Sequence, residues 1–80
     1  MTVVLWARDV EPFWASIAAS LEHNRDQRVG WIIVDDGSTD RTGDLADAWT
    51  ATVGGAAVLH LEEPKGVIAA RNAGLDLVKT

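Results

Sequence analysis

Residues 31–42 read WIIVDDGSTDRT. Trp31, Ile32, Ile33 and Val34 form an unbroken apolar run with no polar alternation, the pattern of a strand buried on both faces. The run passes straight into Asp35 and Asp36, then Gly37 and a cluster of small hydroxyl and acid side chains. A pair of carboxylates at the exit of a buried strand must be compensated. A helix start, a metal or a ligand can do that.

Working outward, the run extends back to VGWIIV, residues 29–34, and two similar runs flank it in the chain: TVVLWA at 2–7 and AAVLHL at 56–61. Each reads as a strand. Between and after them the apolar spacing becomes helical. Phe13, Ile17 and Leu21 recur every four residues with Trp14 and Ala18 alongside, which predicts a helix over 10–23. Asp9 suits its N-cap or a ligand contact, and Pro12 suits its first turn. A second helix is expected over 41–52, with Leu45 and Trp49 on its apolar face and Ser38, Thr39 or Asp40 as its cap. EEPKG is a turn, and a third helix should cover 67–78. Trp14, Trp31 and Trp49 read as core, whereas Trp6 is placed to line the mouth of the sheet. His60, between Leu59 and Leu61, reads as a hydrogen-bonded or edge histidine, and His23 suits a helix C-terminus.

Continuous apolar strands alternating with amphipathic helices predict an α/β fold. The layers should be α/β/α around a parallel, Rossmann-like sheet with β-α-β-α-β-α order and right-handed crossovers. No repeat or linker interrupts the 80 residues, so they read as one domain. The chain stops directly after a helix. The expectation is therefore one half of a doubly wound fold, ending where a further strand would begin, with an open sheet edge through which a second copy can pair.

The net charge of −5 argues against a nucleic-acid backbone as partner. The absence of cysteine excludes disulfides and thiolate metal sites. No apolar run is long enough for a membrane span, and Arg8 and Asp9 interrupt the first apolar stretch too early for a signal peptide. The expected location is the cytoplasm or the cytoplasmic face of a membrane.

In open α/β sheets, ligands bind beyond the carboxyl ends of the strands. Three segments should meet there: Ala7, Arg8 and Asp9; Asp35 to Asp40; and Glu62 to Gly66. A carboxylate in that position can accept hydrogen bonds from a planar N–H edge or a ribose diol. Gly37 permits a tight turn and a close approach. Asp35, Asp36, Asp40, Asp44 and Asp47 suit either a metal or a solvated acidic helix face. A haloacid-dehalogenase nucleophile would fall on Val34, and the acidic pair follows the wrong strand for a receiver domain. Counted from Asp35, an EF-hand's final glutamate would fall on Ala46. No dinucleotide Gly-x-Gly-x-x-Gly is present. A phosphate-transfer domain holding Mg²⁺ on Asp35 and Asp36 stays open, as does an α/β binding or assembly module without chemistry of its own.

IIVDDGSTDRT, followed later by KGVIAARNAGLDLV, resembles the family 2 inverting glycosyltransferases of GT-A fold. In that family an apolar strand enters Asp-Asp-Gly-Ser-Thr-Asp, and a glycine turn then leads into a helix bearing Ala-Arg-Asn-x-Gly. The resemblance extends from about Val3 to the end of the chain. It implies the donor-binding half of an enzyme that transfers sugar from a nucleotide-diphospho-sugar, UDP-linked or similar, to an acceptor.

By that resemblance Asp36 holds the uracil or other base, while Asp35 orders the turn. Ala7, Arg8 and Asp9 stand where the family usually has Pro-x-x-Asn, whose backbone contacts the base. Lys65 and Gly66 lie where the third loop meets the nucleotide. Arg71 and Asn72 match the helix motif, and Arg71 either pairs with Asp35 or Asp36 or contacts the ligand. The family's Asp-x-Asp metal motif and catalytic base are not in this sequence. The resemblance therefore implies no cofactor held here, Mg²⁺ or Mn²⁺ in a full-length enzyme, and no sugar transfer by these residues alone.

Overall fold

The computed structural model of the chain describes residues 2–23, 30–53 and 56–78. In order these are β1 (Thr2–Ala7), a 3-10 turn (Glu11–Phe13) running into α1 (Trp14–His23), β2 (Gly30–Asp36), α2 (Thr42–Thr52), β3 (Ala56–Leu61) and α3 (Val67–Val78). The strands form one parallel sheet in the order β1-β2-β3. Within the sheet Ile33 is registered between Leu5 and Val58, and Val34 between Trp6 and Leu59. The α/β architecture with a parallel sheet is thus the one predicted. Among the described residues no helix is long and apolar enough to cross a membrane.

Burial explains the sequence pattern. β2 is central, and every residue from Trp31 to Asp36 is buried, whereas the edge strands β1 and β3 are mostly half-buried or exposed. Side chains alternate across the sheet. Val3, Leu5, Trp31, Ile33 and Val58 face α1 and α2, joining Trp14, Leu21, Ala46 and Trp49 in the larger core cluster. Val4, Ile32, Val34 and Leu59 face the other way, with Ala70 of α3. Gly74 lets α3 rest its backbone on the sheet, since a Cβ there would lie 2.7 Å from Val4 Cγ1 and 2.9 Å from Val34 Cγ2. α3 packs across β2 and β1, back toward the start of the sheet. α3 therefore covers the face opposite α1 and α2, and in open α/β sheets ligands bind beyond the carboxyl ends of the strands.

Four sequence expectations shift. β2 runs two residues further than expected, so both aspartates are strand residues. Val29, the polar connection after His23 and the glycines before Ala56 lie outside the described residues. The first helix opens as a 3-10 turn containing Pro12, with the Phe13 N–H donating to the Val10 carbonyl at 2.9 Å. That tighter winding takes Phe13 out of phase with the α-helical stripe, and its side chain is 66% exposed. Trp14, Ile17, Ala18 and Leu21 carry the stripe instead. On α2 the buried line is Thr42, Ala46 and Trp49, with Leu45 half-buried beside it. Trp49 meets Trp31 edge to face, with ring centroids 6.4 Å apart. Its Nε1–H donates to Glu22 Oε1 at 3.0 Å, tying α2 to α1.

Candidate functional site

Asp35 and Asp36 are neighbours on one strand, so they point to opposite faces of the sheet. Asp36 lies on the α3 side and is 0% exposed. Three N–H groups converge on its carboxylate. The Lys65 amide donates to Oδ1 at 2.7 Å, while the Gly66 amide and the Trp6 indole Nε1 both donate to Oδ2 at 3.0 Å. Burial pushes its pKa up, but the Lys65 amide, the Trp6 indole, the Gly66 amide and the nearby Arg8 charge outweigh it. The carboxyl therefore sits below its ordinary value and stays ionised. Trp6, Lys65 and Gly66 are themselves exposed, so the cover over Asp36 is thin.

Asp35 lies on the α2 side. Its Oδ1 accepts the Ser38 amide at 3.2 Å, and its Oδ2 meets His60 Nδ1 at 3.0 Å. His60 is its direct cross-strand neighbour. The other ring nitrogen, Nε2, is 2.9 Å from Asp47 Oδ1 on α2. Carboxylates only accept, so both contacts are hydrogen bonds only when the ring carries two N–H groups and a positive charge. Gly43 makes this approach of α2 feasible, because a Cβ there would fall 2.5 Å from Asp35 Oδ2.

The hydrogen bonds from His60 to Asp35 and then Asp47, with the charges of both, raise the histidine pKa against the opposing effect of burial. A raised folded-state pKa stabilises fully below the ordinary histidine value and is lost as pH rises through the raised one. The urea midpoint should therefore fall as pH is raised from about 5 to about 8, and His60→Gln should flatten that fall. An equally steep profile in the variant would mean that the pair contributes nothing.

The loops after β1 and β2 are laced together. Asp9 has a left-handed backbone, φ 51°. Its Oδ1 accepts the Thr39 amide at 2.7 Å, the Thr39 hydroxyl at 3.3 Å and the Asp40 amide at 3.3 Å. Its own amide donates to Ser38 Oγ at 3.0 Å. Two carboxylates reciprocate: the Glu11 amide donates to Asp40 Oδ2, and the Arg41 amide to Glu11 Oε1, both at 3.0 Å. The Val10 amide reaches Thr42 Oγ1 at 2.8 Å. Asp9 is thus not the cap of the first helix. Val10 occupies that position without a side-chain cap, and the Asp9 carboxylate serves the turn entering α2. None of Ser38, Thr39 and Asp40 is the cap of α2: Arg41 occupies that position without a side-chain cap, and the Thr42 amide donates to Asp40 Oδ1, one residue before it, at 2.8 Å.

The other expected residues lie at the strand ends, on the loops that follow them and on α3. Ala7 is buried beside Asp35 at the end of β1. Arg8 is exposed on the Asp36 flank, and Lys65 is exposed on the loop that delivers its amide to Asp36. Arg71 is exposed on α3 and pairs with neither Asp35 nor Asp36, whose charges are met by His60 and by N–H donors. Sequence reasoning did not foresee the bond from Trp6 to Asp36 or that from His60 to Asp35. Each is set by strand register, which the local sequence does not state. Among the described residues no group of three His, Cys, Asp or Glu side chains can hold a metal ion. Asp35 and Asp36 cannot share one, because they lie on opposite faces and each is engaged by N–H donors.

Comparison with known proteins gives two matches. Glycosyltransferase GlyG of Streptococcus pneumoniae serotype 4 (strain ATCC BAA-334 / TIGR4) is 40% identical over 53 residues, which are 66% of this chain and 18% of that protein. The chain therefore spans less than a fifth of this relative's length. The family model described as Glycosyl transferase family 2 matches residues 2–80. The parallel sheet with helices on both faces agrees with a partial GT-A fold. Matched over nearly its whole length and folded accordingly, the chain belongs to glycosyltransferase family 2.

Proposed function

We propose that this chain forms the donor-binding portion of a sugar transferase, receiving the nucleotide of a nucleotide-diphospho-sugar at the carboxyl ends of β1, β2 and β3. The observation that carries this reading is the Asp36 carboxylate. It is ionised, it ends β2 at the carboxyl edge of the sheet, and three N–H donors converge on it beside the Arg8 charge. Such a group is suited to the N–H edge of a base. The exposed Arg8 and Lys65 flank it, in a chain whose net charge is −5, and suit the phosphates. Arg71, exposed on α3, remains available to the ligand. In a complete enzyme a divalent cation, Mg²⁺ or Mn²⁺, would neutralise the diphosphate leaving group. The side chains described here do not fit one, so its ligands would come from other residues. The sugar and the acceptor would meet there too.

The test is an amide NMR titration with UDP, on the wild type and on Asp36→Asn. Shifts should centre on Ala7, Asp36 and Lys65, and the substitution should weaken binding about tenfold or more, the worth of a hydrogen bond to a charged group. An unchanged spectrum in a well-folded wild type would remove this reading and favour a binding or assembly module.

A further inference from the structure

Of the three groups that satisfy Asp36, two are backbone amides and one is a side chain. The Lys65 and Gly66 amides are fixed by the turn before α3, where Gly66 has φ +90°. The Trp6 indole stands apart. It is 36% exposed, it turns on two side-chain torsions, and it sits on an edge strand. It is the one donor that can leave Asp36 without unmaking backbone structure. Its departure would leave Oδ2 with the Gly66 amide alone under a thin cover, so water or an incoming N–H can take its place.

We propose that Trp6 is an exchangeable internal occupant of the base position, donating its indole N–H to Asp36 in the empty site and yielding to the N–H edge of an incoming base. This rests on the donor-nucleotide reading and names its substrate class. A carboxylate only accepts, so the exchange is donor for donor. Bases with a ring N–H, such as uracil at N3 or guanine at N1, conserve the hydrogen-bond count. Cytosine has no ring N–H: it offers only its exocyclic N4–H₂ and sets the N3 acceptor beside it against the carboxylate, so it displaces the indole less well. Once released, the indole presents an aromatic face on which a base can stack. Trp6 is then both a brake on affinity and a filter for the base.

The experiment follows the indole ¹H–¹⁵N signals of the chain during titration with UDP and, separately, CDP. The Trp6 signal is assigned through its connectivity to β1. UDP should move it well beyond the signals of Trp14, Trp31 and Trp49, and CDP should move it much less at equal concentration. Trp6→Phe keeps the ring surface but removes the competing N–H, and should bind UDP several-fold tighter, up to about tenfold. UDP binding that leaves the Trp6 signal still, CDP moving it as UDP does, or a Trp6→Phe chain that binds UDP no tighter, would overturn the exchange and leave the donor-nucleotide reading standing. No UDP binding by the folded wild type would overturn the two together. The indole readout uses the wild-type chain, so it decides the matter even where the variant fails to fold.

Discussion

Gly37→Ala is expected to lower stability by about 3–5 kcal/mol, at the large end for a single substitution. Two costs coincide. Gly37 has φ +66°, a left-handed conformation that costs an alanine roughly 1–2 kcal/mol. The new Cβ would lie 2.5 Å from Pro64 N and 2.6 Å from the Glu63 carbonyl carbon. Both atoms are backbone, so no rotamer change relieves the overlap. The loop after β3 would have to withdraw, and it carries the Lys65 and Gly66 amides away from Asp36 as it goes. Domains of this size often hold little more than that margin, so a substantial unfolded population is expected. Gly66→Ala is the control. It also has a left-handed backbone, φ +90°, but nothing lies within 4 Å of its would-be Cβ. It should cost only about 1–2 kcal/mol. Urea midpoints of the two variants give the comparison, and equal losses would show that the close approach of the two loops does not constrain the fold.

The positions of these elements were legible because each strand is an unbroken apolar run and each helix carries an apolar stripe. Those patterns are local and survive any register. The central strand was the clearest, because burial on both faces leaves no polar residue between Trp31 and Val34. What the sequence concealed was relational. Ending the strand at Val34 hid the fact that Asp35 and Asp36 face opposite ways, and with it the division of labour between them. The pairing of Asp35 with His60 depends on the β2–β3 register, and that of Trp6 with Asp36 on the β1–β2 register. Neither register has a sequence marker. Asp9 looked like a cap because an acid preceding a helical pattern usually is one. Its left-handed backbone and its role in the neighbouring turn exist only once the two loops have met. The DDGSTD segment therefore marked the place of the site, whereas its wiring needed the fold.

Asp36→Ala is expected to cost about 2–4 kcal/mol, because it strips the acceptor from three N–H groups at once. A buried donor left unpaired costs about 1–3 kcal/mol, and here some of that is recovered as the exposed loop and indole turn to water. Asp36→Asn keeps the shape and one acceptor oxygen, but sets an NH₂ against at least one donor. It should lose about half as much, which makes it the better variant for separating ligand contact from folding. Acid provides an independent check. The folded-state pKa of Asp36 is lowered, so its contribution is present above the ordinary carboxylate value and is lost as pH falls through the lowered one. The gap in urea midpoint between wild type and Asp36→Asn should therefore be widest at neutral pH and close in acid. A gap that stays constant would mean that the charge itself does not hold the loop. A gap that closes would mean that the N–H donors at the strand exit, with the Arg8 charge, keep a fully buried carboxylate ionised. The same arrangement gives a base with a ring N–H a ready acceptor wherever one of those donors, the Trp6 indole, can stand aside.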